Sequence, residues 1–266
     1  MHRAPIGDID LEYEIRGAGE PVILVHAGVC ACFFAPLMDE AALRGHRLIR
    51  YHRAGYAGSG HVHGALSLRE QAAQCRLLMR HLDVARAHIV GHSSGANIAL
   101  QLALDHPDAV RSLALLEPAL LAVPTGPFAA EAMRRYRAGD MAAAIDVWLR
   151  GVGGPDYRSA LDRAMPGAAD RAATDADTFF GQELPAVREW TFGPDDAGRI
   201  RTPTLVVLGA CSDDVSPAFR LRHELLLDWL PAAEPFILAD ANHLLHVQNP
   251  TGMAEGLSRF FARHAQ

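Results

Sequence analysis

The sequence predicts an α/β fold in which a mostly parallel sheet is covered by helices on both faces. Short apolar runs without alternation, typical of buried parallel strands, recur along the chain and alternate with stretches of helical periodicity. This alternation stops between residues 118 and about 200, where helical stretches dominate and no long strand is apparent. We therefore expect a sheet-based core with one helical insertion, which suits a chain of 266 residues.

Seven strands are expected in the core. Residues 9–15 alternate apolar and polar side chains, which predicts an antiparallel hairpin strand with Gly17-Ala18-Gly19 as its turn. The other strands are expected to be parallel and joined by right-handed crossovers. They are residues 22–25, 47–51, 87–90, 112–116, 204–208 and 234–238.

Helices are expected between these strands and throughout the insertion. Ser67, with Glu70 three residues later, forms a capping-box pattern at the start of one of them. The core helices are expected at residues 36–44, 67–82, 94–105, 217–229 and 251–263. Those of the insertion are expected at residues 128–137, 141–150, 155–164 and 168–180, separated by glycine and proline. The predicted domains are a core of residues 1–117 and 201–266 and an insertion of residues 118–200.

The segment Gly91-His92-Ser93-Ser94-Gly95 has the pattern of a nucleophile elbow. It follows a predicted strand and opens a predicted helix, and a turn this sharp needs small residues on both sides of the serine. Such a turn holds the hydroxyl of Ser93 clear of the sheet at a helix N-terminus, where developing negative charge is favoured. Ser93 is therefore the candidate nucleophile.

A serine nucleophile needs a general base, and the base needs an acid that orients it. Asp213 and Asp214 follow the predicted strand at residues 204–208, and His243 follows the strand at residues 234–238. Active sites of open α/β sheets lie just past the carboxyl ends of the strands. The chain order Ser93, Asp213, His243 is the order found in α/β-hydrolases.

The chain resembles an α/β-hydrolase with a helical cap, over nearly its whole length. Besides the elbow, three segments are similar to the family's motifs. Two residues in them differ from the family's pattern: Ala27 replaces the usual glycine, and His52 replaces the usual aspartate. The three segments are Val22-Ile23-Leu24-Val25-His26-Ala27-Gly28, Tyr51-His52-Arg53-Ala54-Gly55-Tyr56-Ala57-Gly58-Ser59-Gly60 and His243-Leu244-Leu245-His246-Val247-Gln248-Asn249-Pro250. The resemblance implies a Ser-His-acid triad and a lid over it.

Three carboxylates are candidates for the acid that orients the histidine. Asp213 is preferred over Asp214 because it lies four residues before Pro217, the usual spacing in the family. Glu117 is the third candidate, since some relatives carry the acid after the strand that follows the elbow. His246 could replace His243 as the base, but the spacing to Pro250 favours His243.

The oxyanion hole is expected to consist of backbone donors. The N–H of Ser94 is the first, and the N–H of Gly28, or alternatively of Val29, is the second. Four further residues are candidates for the substrate pocket. They are His26, His92, Phe180 and Trp190.

Composition agrees with a small-molecule enzyme. Half of the residues are apolar, the net charge is −6, and no basic face or polybasic patch indicates a nucleic-acid or membrane partner. No apolar stretch long enough for a signal peptide or a membrane span occurs, and four scattered cysteines suggest reduced thiols. We expect a cytoplasmic protein, a monomer or a homodimer, without metal or organic cofactor; Cys30-Ala31-Cys32 with His26 has poor metal-ligand spacing.

The leading hypothesis is a serine hydrolase that cleaves a carboxylic ester or lactone of a small, mostly apolar molecule through an acyl-enzyme on Ser93. A carbon–carbon bond hydrolase or a cofactor-free perhydrolase would use the same triad. A ligand-binding protein that keeps the cavity with little turnover is the alternative from another class.

Overall fold

The computed structural model describes residues 1–123 and 126–265. Pro124 and Thr125 of the predicted insertion and Gln266 at the end of the predicted core lie outside the described residues. The described chain forms an eight-stranded sheet in the order β1-β2-β4-β3-β5-β6-β7-β8. The strands are β1 His2–Ile6, β2 Ile9–Arg16, β3 Glu20–Val25, β4 His46–Tyr51, β5 Ala87–His92, β6 Val110–Leu116, β7 Thr204–Gly209 and β8 Ala233–Leu238.

Strands β3 to β8 pair in parallel, whereas β1–β2 and β2–β4 pair antiparallel. The mostly parallel α/β fold predicted from the sequence is therefore confirmed. The predicted turn of the first hairpin is wrong, because β2 pairs with the additional strand β1 across Gly7, which has a φ of 63°. The segment Gly17-Ala18-Gly19 instead leads into β3, which lies beside β4 and β5.

Four long helices of the described core cover the two faces of the sheet or lie at its edge. The Ser67 capping box is present and begins the first of them, as predicted. The helix predicted at residues 36–44 is instead two 3₁₀ turns, because Glu40 is extended between them. Helices α3 to α8 belong to the insertion and are given below. The core helices are α1 Leu68–His81, α2 Ser94–Asp105, α9 Ala218–Trp229 and α10 Pro250–Arg263.

The described residues of the segment between β6 and β7 form short helices joined by loops, without a strand. A π-helical turn, Asp177–Glu183, lies in its middle and places Phe179, Phe180 and Glu183 on its buried side. Its α-helices are α3 Phe128–Arg137, α4 Met141–Gly153, α5 Tyr157–Ala164, α6 Ala168–Thr174, α7 Leu184–Glu189 and α8 Pro194–Ala197.

Apolar side chains fill three main layers. One packs between the sheet and α1 with α2, a second between the sheet and α10, and a third between the helical insertion and the loop that follows β3. The third layer joins the insertion to the sheet edge where the strands end. It therefore fixes the insertion above the candidate site.

The prediction of four reduced thiols is wrong for one pair. Cys30 and Cys32 are joined as a disulfide in the loop after β3, where their Cα atoms lie 5.4 Å apart, within the range that a disulfide bridges. Cys75 and Cys211 are free.

No helix in the described part of the chain is long and apolar enough to cross a lipid bilayer.

Candidate active site

Ser93 lies in a strained turn between β5 and α2. Its φ of 52° and ψ of −120° fall outside the regions that non-glycine residues usually occupy. The turn is possible because a Cβ on Gly91 would lie 2.5 Å from the Gly95 carbonyl oxygen, and one on Gly95 would lie 2.2 Å from that of Val25. Strand and helix thus pass at a distance that only glycine allows, and the serine side chain faces the cavity described below.

His243 lies on the loop that follows β8, on the wall of the same cavity. Its Nδ1 is 2.6 Å from Oε2 of Glu117, and the Phe219 ring stacks on the imidazole with 4.6 Å between ring centroids. His92 donates from Nε2 to the backbone carbonyl of His243 over 2.9 Å. These three contacts, with the Glu117 carboxylate, the Phe219 ring and His92, hold the imidazole in one orientation.

Glu117 is the acid that the structure places beside His243. It follows the last residue of β6, has a positive φ of 45° and is 3% exposed. Its Oε1 accepts hydrogen bonds from the Gly209 N–H at 2.8 Å and from the Ser212 hydroxyl, so both carboxylate oxygens are engaged. The bonds to Oε1 fix the carboxylate so that Oε2 faces Nδ1 of His243, which is the arrangement that orients an imidazole.

The prediction that Asp213 orients His243 is wrong. Asp213 lies in a 3₁₀ turn at the surface, where its side chain is 36% exposed and pairs with Arg220. Asp214 is also exposed. The residue of this loop that faces inward is Ser212, which is fully buried and bonds to Glu117.

The candidate oxyanion donors lie on facing segments. The N–H of Gly28 donates to the hydroxyl of Ser94 over 3.0 Å, and Val29 has a φ of 75° in the same loop. The N–H of Ser94, the first residue of α2, belongs to the helix turn whose N–H groups lack intrahelical acceptors. Gly28 is roofed closely, since a Cβ there would lie 2.5 Å from the Phe179 ring.

A mostly apolar cavity connects these residues. Its empty volume, including the open mouth, is about 810 Å³. Side chains of the insertion form the roof and those of α9 form one side wall. The lining includes Phe33, His92, Ala119, Leu121, Trp148, Leu149, Val152, Phe179, Leu184, Val187, Phe219, Arg222 and Leu244.

Of the four predicted pocket residues, the structure places only His92 on the cavity wall. His26 is buried outside it, with Nδ1 2.6 Å from the Ala27 carbonyl oxygen and Nε2 accepting from the Arg53 N–H. Phe180 stacks on Tyr136 within the insertion, and its neighbour Phe179 lines the cavity instead. Trp190 donates to Gln101 over 2.8 Å and packs against the core.

Two buried histidines near His243 are held in the neutral form. Burial, reinforced by the neighbouring His243, lowers the pKa of His92 well below its usual range. Burial lowers the pKa of His246 to about 3, and this ring stacks on Phe34 with 4.3 Å between ring centroids. His246 is therefore a packing residue, and the alternative in which it replaces His243 as the base is not supported.

A buried ion pair connects the insertion to the core beside the cavity. Both terminal oxygens of Glu183 lie 2.9 Å from Nη2 of Arg53, and the Tyr56 hydroxyl also donates to this carboxylate. Gln71 accepts from Nη1 of Arg53 over 2.8 Å. Burial opposes the charge on Arg53, but the Glu183 carboxylate outweighs it and raises the arginine's pKa.

Sequence reasoning missed the roof and the side wall of the cavity. Trp148, Phe179 and Glu183 lie on helices whose relative placement no local pattern encodes. Phe219 and Arg222 could have been found from their spacing, because residues three apart on a helix share a face, and α9 begins at the predicted loop of Asp213. Within residues 1–123 and 126–265, no group of three or more His, Cys, Asp or Glu side chains could hold a metal ion.

Comparison with known proteins agrees with this architecture. A family model described as the alpha/beta hydrolase fold matches residues 20–149. A curated relative from Azorhizobium caulinodans, "Putative carbamate hydrolase RutD", is 40% identical over 111 residues, which cover 41% of this chain and 42% of that protein. The chain thus matches this relative over less than half of the relative's length.

Two solved structures share the fold across the whole chain. A thermophilic esterase from Thermogutta terrifontis is 20% identical, with a TM-score of 0.81 and complete coverage of both chains. The enol-lactonase from Burkholderia xenovorans LB400 is 22% identical, with a TM-score of 0.77, covering 98% of this chain and all of that one. With the sheet order and the strained serine after β5, these matches show that the chain has the α/β-hydrolase fold.

Proposed function

We propose that this protein is a serine hydrolase that cleaves a carboxylic ester or lactone bond of a small, mostly apolar molecule through an acyl-enzyme on Ser93. One observation carries the proposal. A strained serine and a histidine bonded to a buried carboxylate line the same apolar cavity. A strained serine turn and a buried His–carboxylate pair each cost stability, and together they are the parts that acyl transfer requires.

In the proposed reaction, Ser93 Oγ attacks the substrate carbonyl while Nε2 of His243 accepts the hydroxyl proton. Glu117 keeps the other imidazole proton on Nδ1 and stabilises the imidazolium that forms. The imidazolium then protonates the leaving alcohol. A water activated by the same histidine releases the acid and restores Ser93.

Backbone N–H groups of Ser94 and of Gly28 or Val29 are the proposed oxyanion donors. The N–H of Gly28 is directed at the Ser94 side chain, beside the nucleophile. The substrate oxygen would take a place between these groups and accept their hydrogen bonds. Removing one such donor typically lowers kcat by about 10²–10³-fold.

The proposed role of the insertion is that of a cap over the triad. Phe179 and Trp148 of the insertion line the cavity, and the Arg53–Glu183 pair fixes this part of the insertion to the core. A roofed, mostly apolar site excludes water and suits a compact substrate rather than a polymer. The curated relative's name makes small carbamates a sensible addition to an ester and lactone panel.

The proposal is tested by intact-protein mass spectrometry after exposure to a fluorophosphonate, with Ser93→Ala as the matched variant. We expect a single adduct on the parent protein and none on the variant. Turnover of short and medium 4-nitrophenyl esters should likewise be lost in Ser93→Ala, while its circular dichroism spectrum stays that of the parent. A folded parent that neither labels nor turns over any ester, lactone or carbamate contradicts the proposal and favours a ligand-binding role.

A further inference from the structure

Arg222 is a buried cation on the wall of the candidate active-site cavity. It lies on α9, is 5% exposed and lines the cavity together with Phe219, one turn earlier on the same helix. Its Nη2 donates to the Val123 carbonyl over 2.8 Å, and its buried Nε has no hydrogen-bond partner within residues 1–123 and 126–265. Among the described residues, no carboxylate forms an ion pair with this guanidinium.

The other arginine beside the cavity has a different environment. Arg53 is 1% exposed, and its charge is balanced by two hydrogen bonds to the Glu183 carboxylate. Burying a charge without a partner is costly, so a buried guanidinium is ordinarily paired as Arg53 is. Arg222 lacks this compensation within the described chain.

Glu117 is the carboxylate that acts electrostatically on Arg222, but it does not serve as its partner. Its two oxygens bond to His243, Gly209 and Ser212. Burial lowers the pKa of Arg222 to about 10, and the charge on Glu117 partly opposes this effect. The guanidinium is therefore still cationic at neutral pH, with donor capacity left beside the cavity.

We propose that Arg222 binds a carboxylate carried by the substrate, so that the substrate class is a mostly apolar ester or lactone with one anionic carboxylate. This inference rests on the proposed function. Phe219 stacks on His243, and Arg222 follows it by three positions on α9, so the anionic group would lie a short spacer from the scissile carbonyl. A guanidinium in an apolar, water-poor wall binds carboxylate strongly, because a charge-assisted hydrogen bond gains strength at low dielectric.

The competing explanation is structural. Arg222 could serve only to hold the Val123 carbonyl and to balance the charge of Glu117. In that case its removal lowers stability or slows all substrates alike. Selectivity between a charged and a neutral substrate separates the two explanations.

The test uses matched pairs of 4-nitrophenyl half-esters of linear dicarboxylic acids, from glutaric to suberic acid, and their methyl esters, in which the carboxylate is masked. The quantity compared is the ratio of kcat/KM for the acid to that for its methyl ester. At the best chain length we expect the parent ratio to be at least about tenfold, as one charge-assisted hydrogen bond allows. Arg222→Gln should lower the ratio at least about tenfold, and Arg222→Lys less.

Arg220→Gln is the matched control, because it removes the same charge from the same helix at an exposed position, where Arg220 pairs with Asp213. Its ratio should equal that of the parent. An unchanged ratio in a folded Arg222→Gln overturns the proposal in favour of the structural role.

If Arg222→Gln does not fold, the substrate preference of the parent protein still tests the inference. A parent that the fluorophosphonate labels on Ser93, but that prefers the methyl esters or cleaves no carboxylate-bearing member, overturns this inference and leaves the proposed function intact. A parent without labelling contradicts the proposed function itself.

Discussion

Two carboxylates follow neighbouring strands of the sheet and have opposite environments. Glu117, directly after β6, is 3% exposed and bonds to His243, Gly209 and Ser212. Asp213, four residues after β7, is 36% exposed at its side chain and pairs with Arg220. The comparison shows that the position of a carboxylate relative to the strand end decides whether it faces the site.

The strand register explains the difference. His92 and Leu116, the last residues of β5 and β6, lie opposite each other in this parallel pair. Ser93 and Glu117, which directly follow them, therefore leave the sheet side by side. Leu116 lies opposite Val207, whereas β7 continues to Gly209 before its loop begins. The loop of Asp213 therefore starts farther out and turns towards the solvent, and only its buried Ser212 reaches back to Glu117.

The largest expected effect is the loss of activity on substitution of Glu117. Glu117→Gln should lower kcat/KM for a 4-nitrophenyl ester by about 10⁴-fold, or about 5 kcal/mol, because the amide favours the wrong tautomer of His243. Asp213→Asn, measured with the same substrate, should stay within about twofold of the parent. Loss of activity in Asp213→Asn with full activity in Glu117→Gln would reverse our assignment.

The second effect is a loss of stability on substitution of Glu183, the buried carboxylate that pairs with Arg53. Glu183→Gln should lower the free energy of unfolding by about 3–5 kcal/mol, because Arg53 would be left as an uncompensated buried charge. Urea denaturation followed by circular dichroism measures the change. Glu189→Gln, at the exposed end of α7, is the matched control and should change the unfolding free energy by less than about 0.5 kcal/mol. Equal stability of the two variants would show that the ion pair does not fix the insertion.

A smaller effect is expected from Ser212→Ala. This variant removes one hydrogen bond from the Glu117 carboxylate, which should cost about 1.5–3 kcal/mol of stability, and kcat/KM should fall about tenfold as the carboxylate loses its fixed position. Thermal unfolding and ester kinetics are the measurements. Exposed Ser159→Ala is the control. A Ser212→Ala variant with parent kinetics would mean that Gly209 alone holds Glu117.

The smallest effect is expected at the surface pair. Asp213→Asn and Arg220→Gln should each change the free energy of unfolding by less than about 1 kcal/mol, because exposed ion pairs contribute little in water. Their double variant should be additive within the same margin in a urea titration. A coupling well above 1 kcal/mol would show that this loop matters more to the fold than its exposure indicates.

Local patterns were sufficient to predict the fold and the elbow. Apolar runs, a capping box and two glycines around Ser93 each act through neighbouring residues, and each signal is visible in a short window of sequence. The acid was mispredicted for the opposite reason. The choice between Glu117 and Asp213 depends on how far β6 and β7 extend, which is a property of strand pairing rather than of either loop.

The cavity wall depends on even longer-range packing. Phe179 and Phe180 are adjacent in the chain, yet Phe179 lines the cavity and Phe180 stacks on Tyr136 inside the insertion. A π-helical turn sets which of the two faces the site, and no periodicity of the sequence predicts that turn. The same holds for Arg222, since the absence of a paired carboxylate among the described residues is a property of the folded site alone.

The most direct test of the Glu117–His243 pair is the ¹H NMR spectrum of the ¹⁵N-histidine-labelled protein, in the downfield region where an imidazole proton shared with a carboxylate appears. We predict a resonance from Nδ1 of His243 in this region that is present in the parent and in Asp213→Asn and absent from Glu117→Gln and His243→Ala. A resonance that persists in Glu117→Gln and disappears in Asp213→Asn would contradict the account.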